Sequence, residues 1–306
     1  MNRGKPGSEK RGAAAGEVQP SAGRTGNGHR PSAGGAVAAR LASWMVIFLL
    51  LLSCSAADLR DSRLPTEGER ESAEREARRI FARVLDRMGA TGDNSGSARL
   101  AVEGMDIWYS TPLRWLTPLA SNRQSFDAII GPGSRDVLYR FRNGPSETRR
   151  IGTDDRGTFV DDGSGRRYGD DGTVRLYVLP LRWYLEWPAS LAQSPILAYA
   201  GHFEKNGTVY DVIFAASDTA ADLSTSDHYR IYVRRDTALV DYIEFTLRDL
   251  AVFYRGAIHY DDYREVSGRL LPFRIGVADS IDDADFVHEF RFESIRFLEP
   301  SPQSRD

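Results

Sequence analysis

The spacing of apolar residues changes period along the chain, and each period predicts a different element. Over residues 67–88 apolar side chains recur at spacings of three and four on a segment otherwise rich in Arg and Glu. This pattern predicts one amphipathic helix that packs by a single side. Thr66 is placed to cap its start, and Gly89 and Gly92 to end it.

From about residue 99 the period becomes two, which predicts β-strands. The predicted strands cover residues 100–109, 125–130, 136–142, 148–152, 158–161, 208–216, 228–235, 240–248, 253–263, 269–278 and 286–297. Short turns at residues 235–237 and 266–268 favour antiparallel neighbours in a meander. Within 240–248, Ile243, Phe245 and Leu247 share one face, which we expect to meet a core or cavity while the opposite face meets water.

A different segment separates the two blocks of strands. Residues 174–199 are apolar nearly all round, and Pro180, Pro188 and Pro195 are expected to cut the segment into short pieces rather than leave a membrane span. A helix that is hydrophobic on every side is buried, so we predict a plug on the concave face of the sheet that hides both of its tryptophans. The residues assigned to this hydrophobic plug or ligand site are Leu181, Trp183, Tyr184, Leu185, Trp187 and Leu191.

The start of the chain has the composition of a targeting segment. Residues 1–40 are basic and rich in Gly, Ala, Ser and Pro, and an uncharged run of about a dozen residues follows and ends near Leu52. Such a run is shorter than the roughly 20 residues that span a bilayer, but it fits the apolar region of a secretory signal. The chain's one cysteine, Cys54, stands where this run ends.

The residues Leu51-Leu52-Ser53-Cys54 resemble a bacterial lipoprotein signal, the lipobox. The resemblance implies cleavage before Cys54, diacylglycerol on its sulfur and acylation of the new amino terminus. Ser55 after the cysteine implies the periplasmic side of the outer membrane by Gram-negative sorting rules. The basic region is longer, and Leu52 bulkier, than is usual, and a plain signal peptide or an anchor helix with a chance cysteine is the alternative.

The predicted organisation is a signal peptide over residues 1–53, the lipidated Cys54 with a polar tether over 54–65, one β-rich domain over 66–300, and a tail over 301–306. Within that domain, the run Tyr260-Asp261-Asp262-Tyr263-Arg264-Glu265-Val266-Ser267-Gly268-Arg269-Leu270-Leu271-Pro272-Phe273 resembles the closing motif of the LolA/LolB-type lipoprotein carrier superfamily. The resemblance implies an α+β fold: a curved antiparallel sheet, or half-open barrel, with an amino-terminal helix and an apolar helical plug on a hollow face that takes a lipid acyl chain. A permanently anchored protein cannot shuttle, so a carrier role does not follow.

The composition mainly excludes particular functions and kinds of site. The net charge of −3 gives no general attraction to nucleic acid, and one cysteine allows neither an internal disulfide nor a multi-cysteine metal site. His202, His228, His259 and His288 lack metal-ligand spacing, and the Asp-Asp pairs are expected to serve turns rather than calcium. The sequence contains no nucleophile elbow, P-loop or dinucleotide fingerprint.

We therefore expect a monomeric protein without cofactor or metal, and catalysis is the least favoured class. Two classes remain: a lipid-anchored binding module for a lipid or another apolar ligand, and an interaction lipoprotein with a filled core that recruits an envelope partner.

Overall fold

A computed structural model describes residues 57–60, 67–90, 99–131, 136–169, 171–217, 226–248 and 253–298. The signal peptide, Cys54, the predicted cap Thr66 and the tail over 301–306 lie outside the described residues. No helix within these ranges is both long enough and apolar enough to cross a membrane.

The described strands form one antiparallel sheet in the order β6-β5-β4-β3-β2-β1-β13-β12-β11-β10-β9-β8-β7. Consecutive strands pair within β1–β6 and within β7–β13, and the pairing of β1 with β13 joins these two meanders into one curved sheet that stays open between β6 and β7. The predicted fold class is confirmed. The strands are β1 Arg99–Trp108, β2 Arg123–Ile130, β3 Val137–Phe141, β4 Arg150–Asp154, β5 Gly157–Asp161, β6 Arg166–Tyr168, β7 Ile196–Lys205, β8 Thr208–Ala216, β9 His228–Arg234, β10 Val240–Thr246, β11 Arg255–Val266, β12 Arg269–Ala278 and β13 His288–Leu298.

Because neighbouring strands alternate in direction, their connections divide between two rims of the sheet. The upper rim, as we call it, carries the connections β1–β2, β3–β4, β5–β6, β8–β9, β10–β11 and β12–β13. The lower rim carries the tight turns, including Ser267-Gly268, where both residues have positive φ (51° and 79°). Two successive left-handed residues are the signature of a two-residue hairpin turn whose twist matches the flanking strands.

Helix α1, Arg70–Arg87, has the predicted amphipathic pattern and buries Ala77, Ile80, Phe81 and Val84. It packs on β7. A 3₁₀ turn at Glu67–Glu69 precedes it, and the N-cap Glu69 makes no capping hydrogen bond through its side chain. Gly89 follows the helix with φ 63°, and a Cβ there would lie 2.3 Å from the carbonyl oxygen of Gly268, so this position needs glycine for both reasons.

A four-residue helix, α2 Thr111–Arg114, lies in the β1–β2 connection, and α3 spans Gly172–Leu191. The predicted breaking of the apolar segment is wrong in its first part, because α3 runs through Pro180 and Pro188 as one helix. An interior proline costs about 3 kcal/mol, whereas each buried large apolar side chain contributes about 1.5 to 3 kcal/mol. The several large apolar side chains that α3 buries outweigh the cost of the two prolines. The end of the segment is strand β7, which the sequence did not predict.

The main core lies on the concave face, between the sheet and helices α1 and α3. The expectation that the other face meets only water is wrong for the β7–β11 half of the sheet. There a second cluster lies on the convex face, formed by Leu59, Ala200, Tyr210, Val212, Phe214, Ala216, Tyr232, Ala257 and Ile281. Leu59 comes from the segment predicted as a polar tether and is 2 % exposed.

Candidate functional site

Helix α3 crosses the concave face close to the upper rim. Asp171 caps its first turn by accepting hydrogen bonds from the backbone N–H groups of Thr173 (3.0 Å) and Val174 (3.3 Å). Tyr177 contacts the ring of Phe141, the last residue of β3. Farther along, Trp187 reaches Tyr229, the second residue of β9. The helix therefore lies across several strands at the ends that open on the upper rim.

Five of the six residues predicted for the plug are buried on this face: Leu181, Tyr184, Leu185, Trp187 and Leu191. The sixth is a correction, because Trp183 is 41 % exposed. Two positions along an α-helix correspond to about 200° around its axis, so the helix that points Leu181 at the sheet points Trp183 away from it. Leu176, seven residues earlier, shares this outer side and is 50 % exposed.

The carboxyl-terminal half of α3 is held by aromatic contacts. The Trp187 ring lies 5.7 Å from Tyr184, 5.5 Å from Tyr229 and 5.6 Å from Phe245, each between ring centroids. Tyr184 also approaches Phe290 at 6.2 Å. A hydroxyl from the sheet supplies one polar contact to this half, as Tyr260 donates to the Tyr184 carbonyl oxygen at 2.9 Å.

The amino-terminal half is held by a buried polar cluster that the sequence analysis missed. The Tyr177 hydroxyl donates to Asp106 Oδ2 at 2.5 Å, and His288 Nε2 lies 2.7 Å from Asp106 Oδ1. Asp106 is fully buried, and Trp108 stacks on the His288 ring at 4.1 Å. Burial raises the pKa of Tyr177 well above its usual value, so this phenol remains a donor. The available signal was a carboxylate on the core-facing side of an alternating strand.

Two further polar atoms lie beside this cluster. Tyr139 is fully buried with its ring 5.2 Å from Tyr177, and burial raises the pKa of its hydroxyl well above the usual value. Within the described residues neither the Tyr139 hydroxyl nor Trp108 Nε1 has a hydrogen-bond partner. The concave face is thus apolar and aromatic, with a few polar groups gathered at one end of α3, which is the character of sites for small apolar ligands.

The three histidines on the sheet that are at least partly buried occupy separate places. His228 lies on the convex face 3.1 Å from Asp58, and His259 Nε2 lies 3.2 Å from the Ser280 carbonyl oxygen. His288 belongs to the concave cluster with Asp106. Across the described residues no group of three or more His, Cys, Asp or Glu side chains could hold a metal ion. Independence from metal stays a prediction.

Two of the Asp-Asp pairs, Asp154-Asp155 and Asp161-Asp162, serve turns as predicted, whereas Asp261-Asp262 lies within strand β11. Asp161 Oδ1 accepts from the backbone N–H groups of Gly163 (2.8 Å) and Gly165 (3.2 Å). Asp154 Oδ1 accepts from the N–H of Arg156 at 3.0 Å. These short local bonds close the connections between strands.

Two surface depressions lie away from the six plug residues. One, of about 380 Å³, is lined at the upper rim by Tyr109, Ser110 and residues of the β12–β13 connection that include Asp279, Asp283 and Asp285. The other, of about 290 Å³, lies near the amino terminus of α3 and includes Arg149, Tyr168 and Asp171. Both carry charged groups, so neither resembles the apolar concave face.

No protein-family model matches this chain, and no curated protein matches it. Several solved structures do match it. A DUF1329 family protein from Desulfovibrio piger is 9 % identical with a TM-score of 0.47, and the match covers 74 % of this chain and 93 % of that one. A LolA superfamily protein from Nitrosomonas europaea is 10 % identical with a TM-score of 0.45 (72 % and 94 % covered). A putative outer membrane lipoprotein-sorting protein domain from Vibrio parahaemolyticus is 9 % identical with a TM-score of 0.47 (75 % and 95 %). The likeness is one of fold. The described sheet and helices have the architecture that the sequence resemblance implied, and the likeness to these solved structures extends to fold alone.

Proposed function

We propose that this protein is an envelope lipoprotein, anchored through Cys54, that binds the acyl chain of a lipid or another apolar ligand between its sheet and α3, without catalysis. One observation carries the proposal: the helix that fills the concave face also exposes large apolar side chains on its outer side. Leu176 and Trp183 are exposed opposite the buried Leu181, beside the exposed Arg175. A helix that served only as a core element would carry polar side chains at these two positions.

The contacts of α3 indicate which half would move. At its amino-terminal half, the bond from Tyr177 to the Asp106 carboxylate is of the kind worth about 1.5 to 3 kcal/mol. Its carboxyl-terminal half is held mostly by apolar contacts around Trp187. A ligand alkyl chain can replace such contacts, because each methylene group that it buries contributes about 0.8 kcal/mol to binding. The half that carries Leu185, Trp187 and Leu191 is therefore the lid, and the Tyr177 end is its hinge.

Binding is tested with a fluorescent fatty-acid probe titrated into the soluble chain that begins at residue 55, and by mass spectrometry of a lipid extract of the purified protein. We expect saturable uptake that Trp187→Ala alters severalfold. Trp183→Ala is the matched control. It removes the same kind of side chain, one helical turn before Trp187, but from the outer side of the helix. Absence of uptake by the wild type, together with an extract free of stoichiometric lipid, contradicts the proposal.

The anchor is tested separately in a bacterial host. The wild type should incorporate a palmitate analogue and fractionate with membranes, and Cys54→Ala should lose the label. Equal labelling of the two proteins excludes lipidation at Cys54 and leaves the plain signal peptide or anchor helix as the reading of this segment.

A second function is favoured by a different observation. Val174, Val178 and Leu181 are each 0 % exposed, as they would be in an ordinary filled core. A filled half-barrel would act through its outer surface and recruit an envelope partner. The probe titration separates the two functions, because a filled core takes up no fatty acid.

A further inference from the structure

The chain is docked on the domain almost as far back as Cys54. Residues 57–60 lie on the convex face, where Leu59 is a buried member of the second cluster. The Arg248 guanidinium donates to the Ala57 carbonyl oxygen, and Asp58 Oδ1 lies 3.1 Å from His228 Nδ1. Residues 57–60 of the segment predicted as a tether are thus fixed to the domain.

This docking point lies at the upper rim. His228 is the first residue of β9, and Arg248 stands two residues after the end of β10. Three peptide units connect Ala57 to Cys54 and span at most about 11 Å. The headgroup layers of a bilayer add about 10 to 15 Å in total to its hydrocarbon core. Lipidation of Cys54, as proposed above, would therefore keep the upper rim within a short reach of the headgroups.

The same rim displays the apolar surface of the protein. Among the described residues, every exposed large hydrophobic side chain lies either on an upper-rim connection or on α3, which crosses the sheet beside that rim. The most exposed are Trp115 (68 %), Leu116 (62 %) and Phe253 (57 %). The others are Tyr109, Leu113, Leu176 and Trp183.

The β1–β2 connection is built to hold these side chains outward. Leu119 is buried in the main core and fixes the far end of the connection. Arg114 Nη1 donates to the Leu119 carbonyl oxygen at 2.6 Å, and Arg149 Nη1 donates to that of Pro118 at 2.9 Å. With these contacts made, Trp115 and Leu116 are exposed on a connection whose far end is fixed in the core.

The upper rim carries charge of both signs. Arg123, Arg150 and Arg255 are exposed and are the first residues of β2, β4 and β11, where guanidinium groups suit lipid phosphates. The acidic β12–β13 connection borders Tyr109 at this rim, and its middle folds over the convex face, with Ile281 buried in the second cluster and Asp282 paired to Lys205 at 2.7 Å. Arg123 and Arg255 thus flank the β1–β2 and β10–β11 connections.

We propose that Leu113, Trp115, Leu116 and Phe253 insert into the headgroup region of the bilayer in which Cys54 is anchored, so that the mouth of the half-barrel beside α3 faces the lipid. This inference rests on the proposed lipidation of Cys54. Amphipathic Trp and apolar Leu and Phe are the side chains that favour this interface. A lipid surface is the occupant argued here because the anchor brings it within reach of every copy of the protein.

The test uses the full, processed lipoprotein in protein-free vesicles of phosphatidylethanolamine and phosphatidylglycerol. Leu116→Cys is labelled with a polarity-sensitive fluorophore, which is selective because lipidation blocks the Cys54 sulfur. Asp236→Cys, an exposed lower-rim turn position, is the matched control. We expect the probe at 116 to emit at shorter wavelength and to lose most of its intensity when the vesicles contain brominated acyl chains, while the probe at 236 responds to neither change.

Intrinsic fluorescence provides a second measurement without labelling, since brominated lipid should quench the wild type and Trp115→Phe should remove that quenching. A protein that labels with palmitate but whose probes at 116 and 236 respond alike overturns the insertion and leaves the anchor standing. A protein that neither labels nor partitions with membranes overturns both. A spectral shift seen in native envelopes but absent from protein-free vesicles assigns the rim to a protein partner and overturns the lipid assignment.

Discussion

Trp183 and Trp187 stand one helical turn apart on α3 but in opposite environments, which makes their truncation a direct test of how the plug is packed. Trp187 is 5 % exposed and contacts three aromatic rings, whereas Trp183 is 41 % exposed on the outer side. Replacing a buried Trp by Ala costs about 3 to 5 kcal/mol, including the cavity left behind. For Trp183 we expect a loss of no more than about 1 kcal/mol, in line with partly exposed positions.

These losses are large against the roughly 5 to 15 kcal/mol by which domains of this kind are stable. With a urea dependence of about 2 to 3 kcal/mol per molar, Trp187→Ala should lower the unfolding midpoint by about 1 to 2 M and Trp183→Ala by less than about 0.5 M. The assay is urea unfolding of the ligand-free soluble chain followed by circular dichroism, so that the removed fluorophores do not bias the signal.

Addition of the fatty-acid probe extends the test to the proposed function. If a ligand fills the space left by the Trp187 ring, excess probe should restore part of the lost midpoint in Trp187→Ala, because a ligand that binds the folded state stabilises it by mass action. Equal losses in the two variants, or a loss below about 1 kcal/mol for Trp187→Ala, would refute the packing of α3 described above.

Three further predictions concern other parts of the molecule. Tyr177→Phe removes the donor to the buried Asp106 carboxylate and should cost about 1.5 to 3 kcal/mol in urea unfolding; an unchanged midpoint would show that the bond contributes nothing. The side-chain hydrogen bond from Arg60 lowers the pKa of Asp58 from 3.8 to about 2, so its contribution to stability is present above pH 3.8 and lost as the pH falls toward 2. Asp58→Asn should therefore be less stable than the wild type at pH 6, by under about 1 kcal/mol for so exposed a pair, and the difference should vanish near pH 2; a pH-independent difference contradicts this assignment. A chelator should leave the melting temperature unchanged, and a fall of many degrees would reveal a metal site.

The sequence predicted those elements whose local pattern agrees with their surroundings. Strands β8 to β13 alternate between two kinds of face, and their positions follow the predicted ranges closely. The sequence also predicted the Ser267-Gly268 turn and the amphipathic helix α1, because the turn type and the helical period depend on neighbouring residues. The antiparallel pairing followed from short connections, which leave few topologies open, whereas the curvature of the sheet was implied by the family resemblance.

Where local signals were overridden, contacts distant in sequence decided the outcome. Pro180 sits inside a helix because burial against the sheet outweighs its cost, and β7 was hidden in a continuous apolar run because its residues contribute to the cores on both faces. The sequence predicted Leu59 as part of a polar tether, but in the structure it packs into the cluster on the convex face.

The candidate site shows the same division. The apolar character of α3 alone predicted a plug, and five of the six residues assigned to it are buried, since a helix that is apolar nearly all round must bury most of its surface. Which side faces the sheet depends on the partners across the fold, and these put Trp187 inward and Trp183 outward. The buried bond from Tyr177 to Asp106 joins residues 71 positions apart, and no local pattern specifies such a pair. The sequence by itself therefore determined the elements and their apolar faces, whereas the tertiary structure decided which side chains meet, because contact between distant residues depends on how the whole sheet curves around them.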